Sequence, residues 1–539
     1  MKAVVRRTKE RKTMTRQKSE DCIKPQGRRK PEVTRGIERL GGGEAVPVNE
    51  QPRQLGLRFE TAEQYAKAEA DGVRVAHRRV SRAHAEPKSN RRETGVLAAT
   101  MESVTERLRI AFAAVASNRG APGPDGKSIE EVRAHLEELL PKLSESLLKG
   151  EYEPGDIRRV WIPKAGGKGQ RGLGIPDVID RAIQEAVRQV LEPLYEPKFH
   201  PNSHGFRPGR SCHTAIAQAT GYLEEGYDWV VDLDLENFFN QVHHQRLMSK
   251  LAERVKDKRL LVLIGKMLKA RIVMPNGVVV SNDEGVPQGG PLSPLLSNVV
   301  LDELDWELAR RGHRFVRYAD DANVYVQSER AGQRVMASIT DFIERRLRLK
   351  VNAAKSAVAR PEERHFLGFS LRREPRDGNV GVSLSKRSKE GIEAKIRELT
   401  PRTWGNTLKA CISGINAYVT GWVGFFGVCT SRIESTLQHL DAHIRRRLRA
   451  IQLKQWKRRR TIAQKLIQHG IRPKSAWRSV YGGHKAIWTM SHMPTVDRAL
   501  PNSYWDERGL VPLLQRYREY SARMVAPVQL TLALGQERS

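Results

Sequence analysis

Between residues 101 and 116 the apolar positions Val104, Leu108, Phe112 and Val115 recur at helical spacing, which predicts an amphipathic helix opening the folded part of the chain. Upstream, residues 1–95 are polar and basic with few sustained apolar patterns, interrupted by Gly41-Gly42-Gly43 and the pairs Arg78-Arg79 and Arg91-Arg92. A flexible extension is expected there. From about 155 to 375, strand-like and helix-like runs alternate between glycines and prolines, the pattern of an α+β or α/β body. After about 385 the pattern turns almost wholly helical. Ile415, Tyr418, Val419, Trp422 and Phe426 form one apolar stripe, read as core, and Arg445 to Arg460 form a dense basic stretch. No internal repeat appears, and no run of roughly 20 apolar residues that would span a membrane.

Two of the predicted strands carry acids where strands should not. Phe315 to Val326 reads as two short strands around a tight turn, Tyr318-Ala319-Asp320-Asp321. Adjacent residues on a straight strand face opposite sides, so only a turn brings both carboxylates near one point. Two such charges about 4 Å apart repel by roughly 4 kcal/mol at an effective dielectric near 20, which favours a neutralising cation. Oxygen ligands select a hard ion such as Mg²⁺. Alone, an Asp-Asp pair is equally a surface turn. Trp229-Val230-Val231-Asp232-Leu233-Asp234 begins as an alternating strand and ends in an acidic-aromatic cluster, placing Asp234 where a third carboxylate can join the pair. Read in isolation, Asp232 and Asp234 also suit a hydrated strand edge.

Charge narrows the partners. The 539 residues carry a formal net charge of +32, with a sequence pI of about 10.2. The basic residues recur along the whole chain, which points to nucleic acid; a ribosomal-type or chromatin-type basic protein is the plain alternative. Cys22, Cys212, Cys411 and Cys429 form no Cys-x-x-Cys pair, against a zinc ribbon or disulfide framework. Glu10, Glu20 and Asp21 interrupt the basic start, against an organellar leader.

The motifs then fall in one order: Arg119-Gly120-Ala121-Pro122-Gly123-Pro124-Asp125-Gly126, Val160 to Lys164, Leu173-Gly174-Ile175-Pro176 and His204-Gly205-Phe206-Arg207-Pro208-Gly209-Arg210-Ser211. The Asp234 segment, Gly285-Val286-Pro287-Gln288-Gly289-Gly290, the Tyr318 turn and Phe366-Leu367-Gly368-Phe369 complete it. The series resembles the reverse transcriptases encoded by group II introns, which combine polymerase and splicing-maturase activities. The resemblance implies an α+β right-hand polymerase fold followed by an all-helical thumb and maturase domain. Its expected divisions are the extension 1–95, fingers and palm 96–380, thumb and maturase domain 381–478, and a small DNA-binding-like region 479–539.

By the same resemblance Asp234, Asp320 and Asp321 are the catalytic carboxylates, holding two Mg²⁺ ions (Mn²⁺ as a substitute) together with the backbone of Leu235. Lys164, Arg171, Phe239, Gln288 and Lys355 are expected at the nucleotide, with Phe239 crowding the sugar 2′ position and Lys355 protonating pyrophosphate. Asn240 departs from the family's usual Asp. Phe206, Arg207, Gly289 and Tyr318 are expected at template and primer. Arg445, Arg446, Arg449, Lys457, Arg458, Arg459 and Arg460 are expected on RNA. The implied partners are intron RNA as template and splicing substrate, target DNA, a primer strand, dNTPs and a second copy in a homodimer, with no membrane. A bacterial cytoplasmic setting, at the nucleoid or in a ribonucleoprotein, is expected. No cysteine pair follows Cys429, so no HNH nuclease is expected. The rival readings are a domesticated enzyme of defence or repair and a splicing-only RNA-binding maturase.

Overall fold

A computed structural model describes residues 98–163, 169–374, 378–401, 407–483 and 486–523. The basic extension 1–95 and Lys164 lie outside the described residues. The first periodic run forms α1 (Met101–Ser117), capped by Thr100, whose side chain accepts a hydrogen bond from the Ser103 amide. Its buried stripe lies against α2 (Val178–Tyr195), as the helical spacing requires. The alternating body then supplies β1 (Ile157–Pro163), β2 (Gln170–Ile175), β3 (Trp229–Leu233), β4 (Ile272–Val273) and β5 (Val279–Val280). After these come β6 (Arg314–Tyr318), β7 (Asp321–Val326), β8 (Ala357–Ala359), β9 (Phe369–Arg373) and β10 (Val380–Leu384).

β1 and β2 make an antiparallel hairpin, from Arg158↔Ile175 to Pro163↔Gln170, in a sheet ordered β2-β1-β4-β5. The central sheet is ordered β6-β7-β3-β8 and is antiparallel throughout. Its side chains alternate between two cores. Val231, Leu233, Phe315, Val324 and Val326 face one, while Val230, Val316 and Tyr325 face the other. Burial on both faces explains why β3 and β7 read as nearly unbroken apolar runs, each buried Val or Leu contributing roughly 1.5–3 kcal/mol. Helix α3 (Cys212–Glu224) covers the β6 side. Helices α4 (Ser293–Arg310) and α5 (Glu329–Phe342) pack on the sheet as well, α5 against β3, β7 and β8.

Beyond the β9–β10 pair the chain is helical: α6 (Lys386–Leu399), α7 (Leu408–Phe426), α8 (Ile433–Gln455), α9 (Arg459–Gln468), α10 (Pro473–Tyr481), α11 (Pro494–Ala499) and α12 (Asn502–Asp506). The stripe on α7 is core. Ile415, Val419 and Trp422 are buried in the cluster that also holds Val230 and Val316, and Tyr418 and Phe426 pack on it. One apolar core therefore runs from the central sheet into the helices. Among the described residues no helix is long and apolar enough to cross a membrane.

Candidate active site

The register of β3 on β7 brings the three carboxylates together. Leu233 pairs with Ala322, so Asp234 and Asp321 are the next residues at the same end of the sheet. Across the turn, Tyr318 pairs with Asp321, leaving Ala319 and Asp320 as a two-residue loop. Ala319 has φ +57°, in the left-handed region that a residue with a Cβ rarely adopts. That hand suits the right-handed twist of a short hairpin. Segment 350–356 holds the other acid by its backbone: the Asn352 amide donates to the Asp234 carbonyl at 2.8 Å, and the Asp234 amide donates to Ser356 Oγ at 3.0 Å.

The charges around this end are crowded. Burial, then the neighbouring Asp320, Asp232 and Asp234 carboxylates, push Asp321 up to about 7. The Asp321 side chain itself reaches solvent, so the neighbouring carboxylates are the firmer cause. Asp320 is raised mainly by burial, with Asp234 adding to the rise and Arg171 on β2 opposing it. Lys355 Nζ stands 3.4 Å from both Asp234 carboxylate oxygens, and Arg364 pairs with Asp232 at 2.6 Å. Among the described residues no three His, Cys, Asp or Glu side chains are close enough to enclose an ion unaided. The donor set nevertheless fits a hard divalent cation completed by water and phosphate oxygens: all oxygen, mutually repelling, with an ammonium already drawn to one member.

A buried polar network, not anticipated from the sequence, lies beneath the turn. Arg317 is fully buried and donates to both carboxylate oxygens of Asp305 at 2.7 and 2.5 Å. It also donates to Asn298 Oδ1 at 3.0 Å, Ser203 Oγ at 2.8 Å and the carbonyl of the strained Ala319 at 2.8 Å. Asn298 Nδ2 donates to the Gly205 carbonyl at 2.9 Å. A Cβ on Gly205 would lie 2.3 Å from the Ala319 amide nitrogen, so only glycine lets this loop reach the turn. A charged residue inside the run Phe315-Val316-Arg317-Tyr318 was the available signal, since arginine is rarely buried unless paired.

The remaining candidates divide. Phe239 is half-buried, edge-on to the buried Phe238 at 5.2 Å, and its carbonyl accepts from the Val286 amide at 2.6 Å. Gln288 accepts from the Gly174 amide at 2.6 Å through its carbonyl, tying the β1–β2 hairpin to this loop. Gly289 has φ +124°, and a Cβ there would meet the Gly174 carbonyl oxygen at 2.5 Å, so the close approach it permits is to protein backbone. Phe206 is 44% exposed with φ +58°, 6.3 Å from the Tyr318 ring. Arg207 is instead buried, paired with Glu196 at 2.9 Å and donating to the His200 and Ser203 carbonyls. These bonds staple its own loop beside the exposed Phe206.

The basic stretch divides too. Arg449 is buried and paired with Asp497 at 2.6 Å, and the Arg446 guanidinium lies 4.1 Å over the Trp488 ring. Arg449 faces inward because Ile444, Leu448 and Ile451 turn that part of α8 into the core, and Arg446 is half-buried beside it. Arg445 is half-buried, and Arg459, also half-buried, donates to the Val480 carbonyl at 3.4 Å. Lys457, Arg458 and Arg460 are exposed.

Two family models match the chain: reverse transcriptase (RNA-dependent DNA polymerase) over residues 162–371, and the group II intron maturase-specific domain over residues 389–467. Protein YkfC of Escherichia coli (strain K12) is 34% identical over 355 residues, covering 58% of this chain and 90% of that protein. Group II intron-encoded protein LtrA of Lactococcus lactis subsp. cremoris is 36% identical over 196 residues, 36% of this chain; the match spans 32% of LtrA's length. Among solved structures, a chain of a partial Cas6-RT-Cas1–Cas2 complex aligns at 22% identity with a TM-score of 0.31, covering 49% of this chain and 46% of that one.

Proposed function

The chain belongs to the group II intron-encoded reverse transcriptases that carry a maturase domain, and from that premise we propose how its parts divide the work. The family's RNA-directed DNA polymerase domain has the right-hand fold, and a helical region follows it. We assign fingers and palm to 96–380, thumb and maturase domain to 381–478, and DNA contact to 479–539. The observation that carries the polymerase reading is the convergence of Asp234, Asp320 and Asp321 at one end of the β3–β7 ladder.

In this reading Asp234, Asp320 and Asp321, with the Leu235 backbone, hold two Mg²⁺ ions. Such ions supply an activated primer 3′ oxygen and neutralise the triphosphate. Arg171 and Lys164 grip the phosphates of the incoming dNTP. Phe239 packs against the sugar and excludes a 2′-hydroxyl. Lys355, now beside Asp234, carries the proton that departing pyrophosphate takes. Phe206, Tyr318 and the Gln288-Gly289 turn line the template–primer path. The maturase domain binds the intron RNA, assisting splicing and mobility into target DNA. The test is extension of a DNA primer on an RNA template with dNTPs and Mg²⁺, alongside splicing of the intron RNA with and without protein. RNA binding without any extension would reduce the chain to its maturase role.

The division of the basic stretch yields its own prediction. Neutralising Lys457, Arg458 and Arg460 together flattens the slope of log affinity against log salt by about 2, at roughly 0.7 per charge on a single strand. Arg449→Gln lowers the melting temperature and leaves that slope unchanged, because its charge already faces Asp497. Titrating RNA at several salt concentrations checks both. A flattened slope in Arg449→Gln, or none in the triple variant, would contradict the assignment.

A further inference from the structure

From Ala442 to Val496 the chain contains no Asp or Glu, while it holds fourteen Lys and Arg. Helix α10 sits within this stretch and has two unlike faces. Ala476, Ser479 and Val480 are buried, and Ser479 Oγ accepts from the Thr495 hydroxyl of α11 at 2.8 Å. Lys474, Trp477, Arg478 and Tyr481, spaced i, i+3, i+4 and i+7, share the opposite face and are exposed. Trp477 is 38% and Tyr481 50% exposed, and their rings stack at 5.5 Å with planes 28° apart. The core beneath is closed by small side chains, so neither ring is needed to fill it. An aromatic stack on a cationic face without acids matches what unpaired bases and their phosphates require: a π surface beside positive charge.

We propose that Trp477 and Tyr481 form a stacking platform for unpaired bases of single-stranded RNA, with Lys474 and Arg478 on the adjoining phosphates. RNA is the occupant because α10 packs directly on α9, which falls within the maturase-specific match up to Ile467, so the platform continues that domain's surface. The inference rests on the RNA-binding half of the proposed function and extends RNA contact past residue 467 to Tyr481, because the helix Pro473–Tyr481 crosses the 478–479 boundary as one unit.

The test titrates the full chain with fluorescein-labelled oligoadenylate, oligodeoxyadenylate and a fully paired RNA duplex. Trp477→Ala with Tyr481→Ala weakens oligoadenylate binding roughly 10-fold or more. The same pair of changes leaves the duplex affinity and the salt slope unchanged, since neither ring carries charge. Trp477→Phe keeps most of the affinity, and Arg478→Gln lowers the salt slope by about 0.7. Unchanged oligoadenylate binding in the double variant, while the wild type binds, overturns the platform and spares the maturase reading. A wild type that binds no RNA overturns that reading instead. A loss on oligodeoxyadenylate with none on oligoadenylate overturns the assignment to RNA.

Discussion

Arg317→Ala destabilises the protein by about 3–5 kcal/mol, because it strands the fully buried Asp305 carboxylate without its partner. Urea denaturation measures this directly. The same substitution removes the donor to the Ala319 carbonyl, and a backbone held in a sparsely populated region costs about 1–3 kcal/mol and persists only where its surroundings enforce it. The turn then relaxes and carries Asp320 and Asp321 away from Asp234, so nucleotide incorporation falls as well. Stability and positioning separate in the paired change Arg317→Met with Asp305→Leu. Apolar replacement of a buried ion pair is often neutral or stabilising. The paired variant therefore regains the part lost to the stranded carboxylate, while Asn298 Oδ1, Ser203 Oγ and the Ala319 carbonyl still lack their donor, and incorporation stays down by roughly 10²-fold, the order that a displacement of about 1 Å costs. Recovery of both stability and incorporation would show that the turn keeps its shape without the guanidinium.

Asp320→Asn acts the other way round. The substitution keeps the size of the side chain and removes its charge. Losing one carboxylate from a metal-holding set removes several kcal/mol of charge stabilisation, roughly 10³-fold or more in extension rate. Stability does not fall. Burial raises the Asp320 carboxyl above its ordinary range, so near neutral pH its ionised form opposes folding, and a neutral side chain relieves that opposition. RNA affinity is unchanged, since the exposed cations lie on the helical part. Loss of RNA binding or of stability together with extension would make Asp320 a structural residue.

The two strands flanking the acidic turn and the apolar stripe of α7 were legible because periods of 2 and 3.6 are written directly into the order of residues. The meeting of Asp234 with the turn was legible from motif order. What was hidden depends on segments far apart in the chain. Ser203, Asn298 and Asp305 meet at Arg317 from a loop and a helix that no local pattern links to β6. The partners of Arg207, Arg446 and Arg449 were hidden for the same reason. Positive charge is visible in a sequence, but whether Glu196, Trp488 or Asp497 faces it is not. The Gly174 carbonyl that lies against Gly289 comes from a strand more than a hundred residues upstream, a neighbour that no local pattern shows.

Single-turnover addition of one dNTP to a DNA primer, opposite each of the four bases of an RNA template, tests the polymerase centre most directly. With Mg²⁺ present, only the complementary dNTP is added, and chelating the metal or introducing Asp320→Asn abolishes the addition. Tight binding of the primer–template with no nucleotide added in Mg²⁺ or Mn²⁺ would contradict the account.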